Sequence, residues 1–348
     1  AGKIFHRGDK RFFQEYLPTG RFGPKPKKKI SQPHGHPLWD WGAFPDDDNL
    51  MPDMKCAKWA IDQLKKSHDK PFFMGVGFYR PHVPMYASQK WFDMHPREKI
   101  KLPLVHKNDR KDLSQYAIDL TNLNHVSPTH KWVSEAGQWD HAVQSYLASV
   151  TFADHCLGLV LDALESSAYG KNTIVVLFSD HGFHLGEKER WAKRSLWEDG
   201  TRVPIIVSAP GHKADQKTNR PAELLDVYPT LLELAGLPAD PSQEGQSLVP
   251  LMKDPKREWK HPAITSFGLG NFSIRSTRYR FIQYLDGSRE LYDLSKDPHE
   301  WKNLASDLKK KAIIAEHAAH LPKKQHPVLP GRSTGHNAYG AANANIKK

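Results

Sequence analysis

An aspartate and a histidine stand side by side directly after an apolar segment. Residues 174–178 read Ile-Val-Val-Leu-Phe, and Asp180 and His181 follow with Gly182 next. This run predicts a buried parallel strand, whose C-terminal end is where α/β sheets hold ligands. A carboxylate beside an imidazole can bind a divalent cation. A structural alternative is that Asp180 caps the next turn and His181 bonds a backbone carbonyl.

A lysine follows the pair and extends the chemistry that the segment could perform. Lys193 comes after a Leu-Gly-Glu turn and precedes a second apolar segment, 203–207. An ammonium group is suited to bind an oxyanion, and a cation nearby can neutralise charge that develops on an anionic ester. His184 and Glu187 lie between these groups and are either partners of the metal ligands or solvated loop residues. The combination indicates ester hydrolysis at a metal ion.

Together with three other motifs, this segment resembles the sulfatases of the alkaline phosphatase superfamily, in the iduronate-2-sulfatase-like branch. The other motifs are Gly-Lys-Ile-Phe-His at 2–6, Gly-Phe-Tyr-Arg-Pro-His-Val-Pro at 77–84, and Glu-Leu-Tyr-Asp-Leu at 290–294. Several separated motifs in one order are a more specific signal than any motif alone.

The resemblance implies a metal site. Asp180 and His181 correspond to two ligands of one divalent cation, which in sulfatases is usually calcium. Many sulfatases have asparagine where this chain has His181. Because calcium prefers oxygen donors, the imidazole leaves the identity of the cation open.

The resemblance also implies four catalytic residues. Lys193 corresponds to a lysine that binds the sulfate group, and His82 to a histidine that contacts sulfate and protonates the leaving alcohol. Lys3 and His6 correspond to the pair beside the nucleophile. The structural alternatives are a solubilising loop lysine for Lys193 and a rigid loop filler for His82, which lies between prolines.

The nucleophile implied by the resemblance is a formylglycine made from the first residue of Cys/Ser-x-Pro-x-Arg, and the sequence contains no such motif. Cys56 and Cys156 lack the required proline and arginine, and we expect both to be buried thiols. The acidic run 46–48 follows a proline-rich loop and predicts a solvated turn. We expect the chain to be the C-terminal portion of a sulfatase that is inactive alone, its formylglycine lying on an N-terminal segment that is either a bound fragment or omitted from the sequence.

The implied function is removal of sulfate from a sulfated sugar or polysaccharide by a sulfuric ester hydrolase, in a secreted, periplasmic or lysosomal setting. One alternative is a phosphatase or phosphodiesterase of the same superfamily, which usually shows further Asp and His metal ligands. The other is a catalytically inactive protein that binds sulfated glycans.

Charge and composition are consistent with an acidic substrate. The 348 residues carry 50 Lys and Arg against 39 Asp and Glu, which gives a net charge of +11 and a field suited to a polyanion. No nucleic-acid-binding signature accompanies the lysine runs, so we expect no nucleic-acid partner. No uninterrupted apolar run has the length of a membrane span, so we expect none.

The periodicity and the resemblance together predict an α/β fold: an alkaline-phosphatase-like mixed sheet sandwiched by helices, with a smaller C-terminal antiparallel sheet and helix. The expected domains are 1–255, the C-terminal part of the catalytic domain, and 256–348, a small α+β subdomain with an irregular tail. Predicted helices are 51–66, 138–167, 224–235 and 307–320. Predicted strands are 72–78, 173–179, 262–267, 271–276, 279–285 and 289–292.

Overall fold

A computed structural model describes residues 1–5, 10–31, 38–122 and 127–325. The chain divides into two compact units. Unit 1 comprises residues 1–103 and 127–173, and unit 2 comprises residues 104–126 and 174–348. The domain boundary that the sequence suggests at residue 255 stays a prediction.

The helices of the described residues range from one turn to 27 residues. They are α1 (Pro52–Leu64), α2 (Gln89–Asp93), α3 (Gln115–Thr121), α4 (His130–Glu135), α5 (Trp139–Glu165), α6 (Glu198–Thr201), α7 (Val227–Leu234), α8 (Val249–Lys253) and α9 (Lys311–Ala318). Short 3-10 turns are Lys10–Phe12, Asp48–Leu50, Arg97–Lys99, Glu187–Glu189, Leu224–Asp226 and Leu308–Lys310.

The strands are short. They are β1 (Trp41–Ala43), β2 (Met85–Ala87), β3 (Val175–Phe178), β4 (His184–Leu185), β5 (Trp191–Ala192), β6 (Ile205–Ser208), β7 (Ala263–Ser266), β8 (Phe272–Arg275), β9 (Tyr279–Gln283) and β10 (Arg289–Asp293).

Unit 1 is built around the long helix α5. Its apolar side packs against α1, α2 and the parallel pair β1–β2, in which Trp41 is opposite Met85. Phe152 and Cys156 of α5 are fully buried in this core, as is Cys56 of α1, so the prediction of two buried thiols is confirmed. The helices predicted at 51–66 and 138–167 are confirmed as α1 and α5.

The segment 72–78, predicted as a strand, forms only a single parallel bridge. Gly77 is bridged to Gly2, and the amide of Lys3 donates to the Gly77 carbonyl at 2.8 Å. The two backbones approach so closely that a Cβ atom on Gly2 would lie 2.0 Å from the Gly77 oxygen. The prediction of a regular strand is therefore wrong, since its partner in unit 1 is the short N-terminal segment.

The strand before Asp180 differs from the buried parallel strand predicted. β3 pairs antiparallel with β6, with Val176 opposite Val207, and Phe178 is 47% exposed. Within the described part of unit 2 no further strand pairs with β3. An apolar run predicts a strand but does not specify its partner or direction, which is why this part of the prediction is wrong.

The C-terminal part of unit 2 agrees with the prediction. Strands β7 to β10 form an antiparallel sheet in the order β10-β9-β8-β7. Ile314 of α9 packs on Ile274, Phe281 and Leu291 of this sheet. The helix predicted at 224–235 is present as a 3-10 turn continuing into α7. Most of the predicted tail, residues 326–348, lies outside the described residues.

In the described part of the chain, α5 alone is long and apolar enough to cross a membrane, judged by length and composition. The core helix of a soluble protein passes the same test, and α5 supplies fully buried side chains to unit 1. Polar residues interrupt the sequence of α5, so the search for an uninterrupted apolar run does not detect this helix. The absence of a membrane span stays a prediction.

Candidate active site

The structure brings Asp180, His181 and Lys193 together in unit 2. Nε2 of His181 lies 3.6 Å from Oδ1 of Asp180 and 2.7 Å from Nζ of Lys193. Two donors bound to one calcium ion at about 2.4 Å would stand about 3.4 Å apart. The spacing of the carboxylate and imidazole donors therefore fits one divalent cation.

The His181 ring has a defined tautomer. Its Nδ1 lies 2.7 Å from the carbonyl oxygen of Gly182, which can only accept a hydrogen bond. Nδ1 therefore carries the proton, and Nε2 presents a lone pair toward Asp180 and Lys193. The backbone contact and the metal-ligand role, which the sequence leaves as alternatives, are compatible because they use different ring nitrogens.

A short hairpin brings Lys193 back to His181. Strands β4 and β5 pair antiparallel, with His184 opposite Ala192, and Lys193 follows immediately. The turn holds Lys188 and Glu189 at φ of 55° and 53°, in the left-handed region that non-glycine residues adopt at a cost of about 1–3 kcal/mol. Such a conformation needs support from the surrounding structure.

Lys188 provides part of that support from a buried position. Its ammonium lies 2.7 Å from a carboxylate oxygen of Asp109 and also donates to the Glu300 carbonyl. The same group lies over the rings of Tyr292 and Trp197, at 5.3 and 5.8 Å from their centres. The hairpin turn is thus anchored to the body of unit 2.

A buried ion network fixes the segment after Lys193. Arg280 of β9 pairs with Glu198 and Glu300, and it donates to the carbonyl oxygen of Leu196 at 3.1 Å. The Glu198 amide donates to the Glu300 carboxylate at 2.8 Å. The Arg280 Nε contact with Glu300 is 2.7 Å but poorly aligned for a hydrogen bond, so it acts as an ion pair. The C-terminal sheet therefore positions the loop that carries Lys193.

His82 lies in unit 1 and is rigidly held. Its Nδ1 is 2.7 Å from the carbonyl oxygen of Val83, and its ring packs on Phe22 at 5.4 Å between centres. The preceding Arg80 is buried and donates to the Tyr86 carbonyl at 2.7 Å. As at His181, the contact with a carbonyl oxygen places the proton of the neutral ring on Nδ1. The lone pair is then on Nε2, which can accept a hydrogen bond or a proton.

The other two predicted catalytic residues lie near the start of unit 1. Lys3 is half-buried, and its backbone is fixed by the bond to Gly77. His6 lies outside the described residues. The assignment of catalytic roles to Lys3, His6, His82 and Lys193 stays a prediction.

The sequence left the role of His184 and Glu187 open and missed Asp199 altogether. One donor atom from each of these residues lies within 4.8 Å of the others. His184 is fully buried, and burial together with Arg190 and Lys188 lowers its pKa to about 3. Burial and the neighbouring Asp199 raise the pKa of Glu187 to about 6. His184 and Glu187 are three residues apart in the hairpin segment, whereas Asp199 belongs to helix α6, so no spacing in the sequence links the three.

Comparison with known protein families identifies the family to which the chain belongs. The profile of the sulfatase family matches residues 12–237, and that of the N-sulphoglucosamine sulphohydrolase C-terminal region matches residues 186–326. The chain belongs to the sulfatase family. The resemblance drawn from the separated motifs is thereby confirmed.

Curated relatives agree with this membership. The chain is 40% identical to a sulfatase of Formosa agariphila over 92% of its own length and 66% of that protein. It is 29% identical to a Delta 4,5-hexuronate-2-O-sulfatase of Bacteroides thetaiotaomicron, over 86% of this chain and 65% of the relative. This sulfatase chain thus spans slightly less than two thirds of these relatives.

Solved structures confirm the alkaline-phosphatase-like fold. A 2-O GAG sulfatase matches with a TM-score of 0.63 and 23% identity, covering 84% of this chain and 66% of that one. A phosphonate monoester hydrolase of Silicibacter pomeroyi matches with a TM-score of 0.71 and 19% identity, covering 88% and 64%. At these identities the likeness concerns the fold.

Proposed function

We propose that this sulfatase chain supplies one part of an active site that removes sulfate from a sulfated sugar or polysaccharide. The observation that carries the proposal is the convergence of Asp180, His181 and Lys193 in a member of the sulfatase family. Sulfated sugars are favoured because the net charge is +11 and a similar protein is named a hexuronate sulfatase.

Each residue has a distinct task in this proposal. Asp180 and His181 hold a divalent cation, expected to be calcium, which when bound neutralises charge on the sulfate oxygens. Nε2 of His181 has one lone pair, so the Lys193 ammonium donates elsewhere whenever that lone pair binds a cation. A sulfate oxygen is the acceptor we propose for Lys193. His82 protonates the leaving alcohol, and Lys3 and His6 act beside the nucleophile.

The nucleophile in this proposal is a formylglycine on a segment outside the sequence. Support comes from the lack of a Cys/Ser-x-Pro-x-Arg motif in the 348 residues and from the longer relatives. When present, the formylglycine would supply the nucleophile for the sulfur atom, and His82 would protonate the alcohol that leaves as its S–O bond breaks. We accordingly propose that the chain alone is inactive and that the complete enzyme acts in a secreted, periplasmic or lysosomal compartment.

An assay with and without the preceding segment tests the proposal. The isolated chain should not hydrolyse 4-nitrocatechol sulfate, whereas the chain joined to or co-expressed with its upstream segment should, and should also release sulfate from sulfated disaccharides. Turnover by the isolated chain would contradict the divided site. Hydrolysis of phosphonate monoesters in preference to sulfate esters, with two bound transition metals, would instead identify a phosphatase-like enzyme. Heparin affinity without any turnover by the extended protein would identify a glycan-binding protein.

A further inference from the structure

Three donor groups converge at a second position in unit 2, separate from Asp180 and His181. A ring nitrogen of His184 and carboxylate oxygens of Glu187 and Asp199 all lie within 4.8 Å of one another. They come from strand β4, the hairpin turn and helix α6. We propose that these residues form a second cation site, suited to a first-row transition metal such as zinc or manganese.

The buried imidazole of His184 is the observation that favours a bound ligand. His184 is 0% exposed, and its Nε2 lies 2.7 Å from the Ser195 hydroxyl. Its Nδ1 is buried, has no hydrogen-bond partner among the described residues, and lies 4.0 Å from Oδ2 of Asp199. Leaving a buried polar atom unpaired costs about 1–3 kcal/mol. A cation held between Nδ1 and the Asp199 carboxylate would satisfy this nitrogen.

The two carboxylates add the charge that a cation site needs. Glu187 and Asp199 each place a carboxylate oxygen within 4.8 Å of the other and of a ring nitrogen of His184, so two negative charges lie together when both groups are ionised. The positively charged side chains that face the cluster are Lys188, Arg190 and Arg280, and the imidazole of His299 also lies near it. Lys188 is held by Asp109, and Arg280 by Glu198 and Glu300.

The donor set selects the class of metal. One imidazole nitrogen with two carboxylates suits zinc, manganese or similar ions better than an all-oxygen calcium site. Ligands of a tetrahedral zinc site stand about 3.4 Å apart, so the donors must move inward from their 4.8 Å limit. Asp199 can make this movement because its side chain is 45% exposed. Such an ion would tie the hairpin that precedes Lys193 to the helix that follows it.

A competing interpretation of the same residues is a Ser195–His184–Asp199 nucleophilic triad. Ser195 is only 6% exposed, and the backbone of Gly200 closes over its hydroxyl. A Cβ atom on Gly200 would lie only 2.2 Å from Oγ of Ser195. A substrate carbonyl or sulfur atom has no room to reach this hydroxyl, so a structural or regulatory ion is the better assignment.

Metal titration of the full chain tests the site. The predicted active-site pair is first removed by the double substitution Asp180→Ala and His181→Ala, so that any remaining binding reports on the second position. Zinc is titrated calorimetrically into the chelator-treated protein, and cobalt is used as a spectroscopic probe of nitrogen and oxygen ligation. We expect one equivalent of zinc to bind in this background and to raise the melting temperature.

Asp199→Asn and Glu187→Gln, added singly to that background, should each weaken zinc binding at least tenfold and reduce the rise in melting temperature. Asp199 is exposed and Glu187 is half-buried, and each substitution keeps the size and shape of the side chain, so neither should prevent folding. Asp215→Asn, at an exposed aspartate of the same unit, serves as the matched control and should leave binding unchanged. Absence of zinc binding, or binding that neither variant weakens, would overturn the proposal. Because no sulfate turnover is measured, the outcome is independent of the proposed sulfatase reaction.

Discussion

The ammonium of Lys193 lies 2.7 Å from Nε2 of His181, twelve residues earlier in the chain. The imidazole lone pair is directed there because Nδ1 donates to the Gly182 carbonyl. The lysine proposed to bind sulfate and the proposed metal ligand therefore lie within hydrogen-bond distance in unit 2, and the ammonium occupies the side of the imidazole at which a cation would bind. This relationship gives the first two predictions.

Lys193→Ala in the extended, active enzyme should lower kcat for a sulfated substrate by about 100- to 1000-fold. This is the loss typical when one preorganised donor to an oxyanion is removed. Steady-state kinetics on a sulfated disaccharide measure it. Lys217→Ala, an exposed lysine in the same unit, is the control and should retain full activity. A variant of Lys193 as active as the parent would exclude the lysine from the reaction.

His181→Asn should shift metal preference toward calcium. An amide oxygen replaces the imidazole nitrogen, and calcium favours oxygen donors whereas zinc and manganese accept nitrogen readily. Competition titrations on the extended enzyme should show the ratio of calcium to manganese affinity rising at least tenfold, while His181→Ala should weaken both ions. Equal affinity ratios in parent and Asn variant would mean that His181 does not contact the metal.

Local patterns correctly predicted the four longest described helices, α1, α5, α7 and α9, and the C-terminal sheet. The spacing of Val143, Leu147 and Val150 identifies α5, and the Asp286–Gly287 turn marks the hairpin between β9 and β10. Each of these patterns depends only on residues that are close together in the chain, so it can be recognised in a single sequence. The residues of the predicted metal pair and Lys193 were found through motifs, and the structure brings these three together.

Features that depend on distant pairing could not be predicted in the same way. The antiparallel partner of β3 lies about thirty residues away, and nothing in either apolar run specifies it. Glu198 and Glu300 are 102 residues apart, yet both belong to one buried network. Charged residues are usually exposed, so their burial at Glu300 and Arg280 becomes visible only when the chain is folded.

Arg280→Met should destabilise unit 2 strongly. The substitution leaves Glu198 and Glu300 without their cation in a buried setting, and breaking a buried ion pair from one side costs about 3–5 kcal/mol. Urea denaturation followed by tryptophan fluorescence measures the free energy of unfolding. Arg289→Met, an exposed arginine on β10, should change it by less than about 0.5 kcal/mol. A small effect at Arg280 would mean that the network contributes little to folding.

Glu223→Gln should flatten the pH dependence of stability. Burial and the nearby Asp226 raise the pKa of Glu223 from its ordinary value of 4.5 to about 7. The folded carboxyl keeps its proton at higher pH than the unfolded one, so its contribution to stability is present below pH 4.5 and lost as the pH rises toward 7. With solvent screening, this loss should be on the order of 1–2 kcal/mol.

The glutamine amide can still accept from the Ile264 amide, so Glu223→Gln preserves the contact at 3.1 Å while removing the titration. Chemical denaturation at several pH values between 4 and 8 gives the free energy of unfolding as a function of pH for the parent and for Glu223→Gln. The variant should become more stable relative to the parent as the pH rises. Glu258→Gln, an exposed glutamate of the same unit, should run parallel to the parent, and parallel curves for Glu223→Gln would contradict the assignment.

Two glycine-to-alanine changes should have opposite effects. Gly158 lies inside α5, and outside its own helix backbone no atom of the described residues lies within 4 Å of the new Cβ, so Gly158→Ala should stabilise the chain by about 1 kcal/mol through helix propensity alone. A Cβ atom on Gly200 would lie 2.7 Å from the Lys193 carbonyl and 2.2 Å from the Ser195 hydroxyl. Gly200→Ala should therefore push the Lys193 loop away from α6, lowering both the melting temperature and, in the extended enzyme, kcat. Retained activity in Gly200→Ala would show that the position of this loop tolerates displacement.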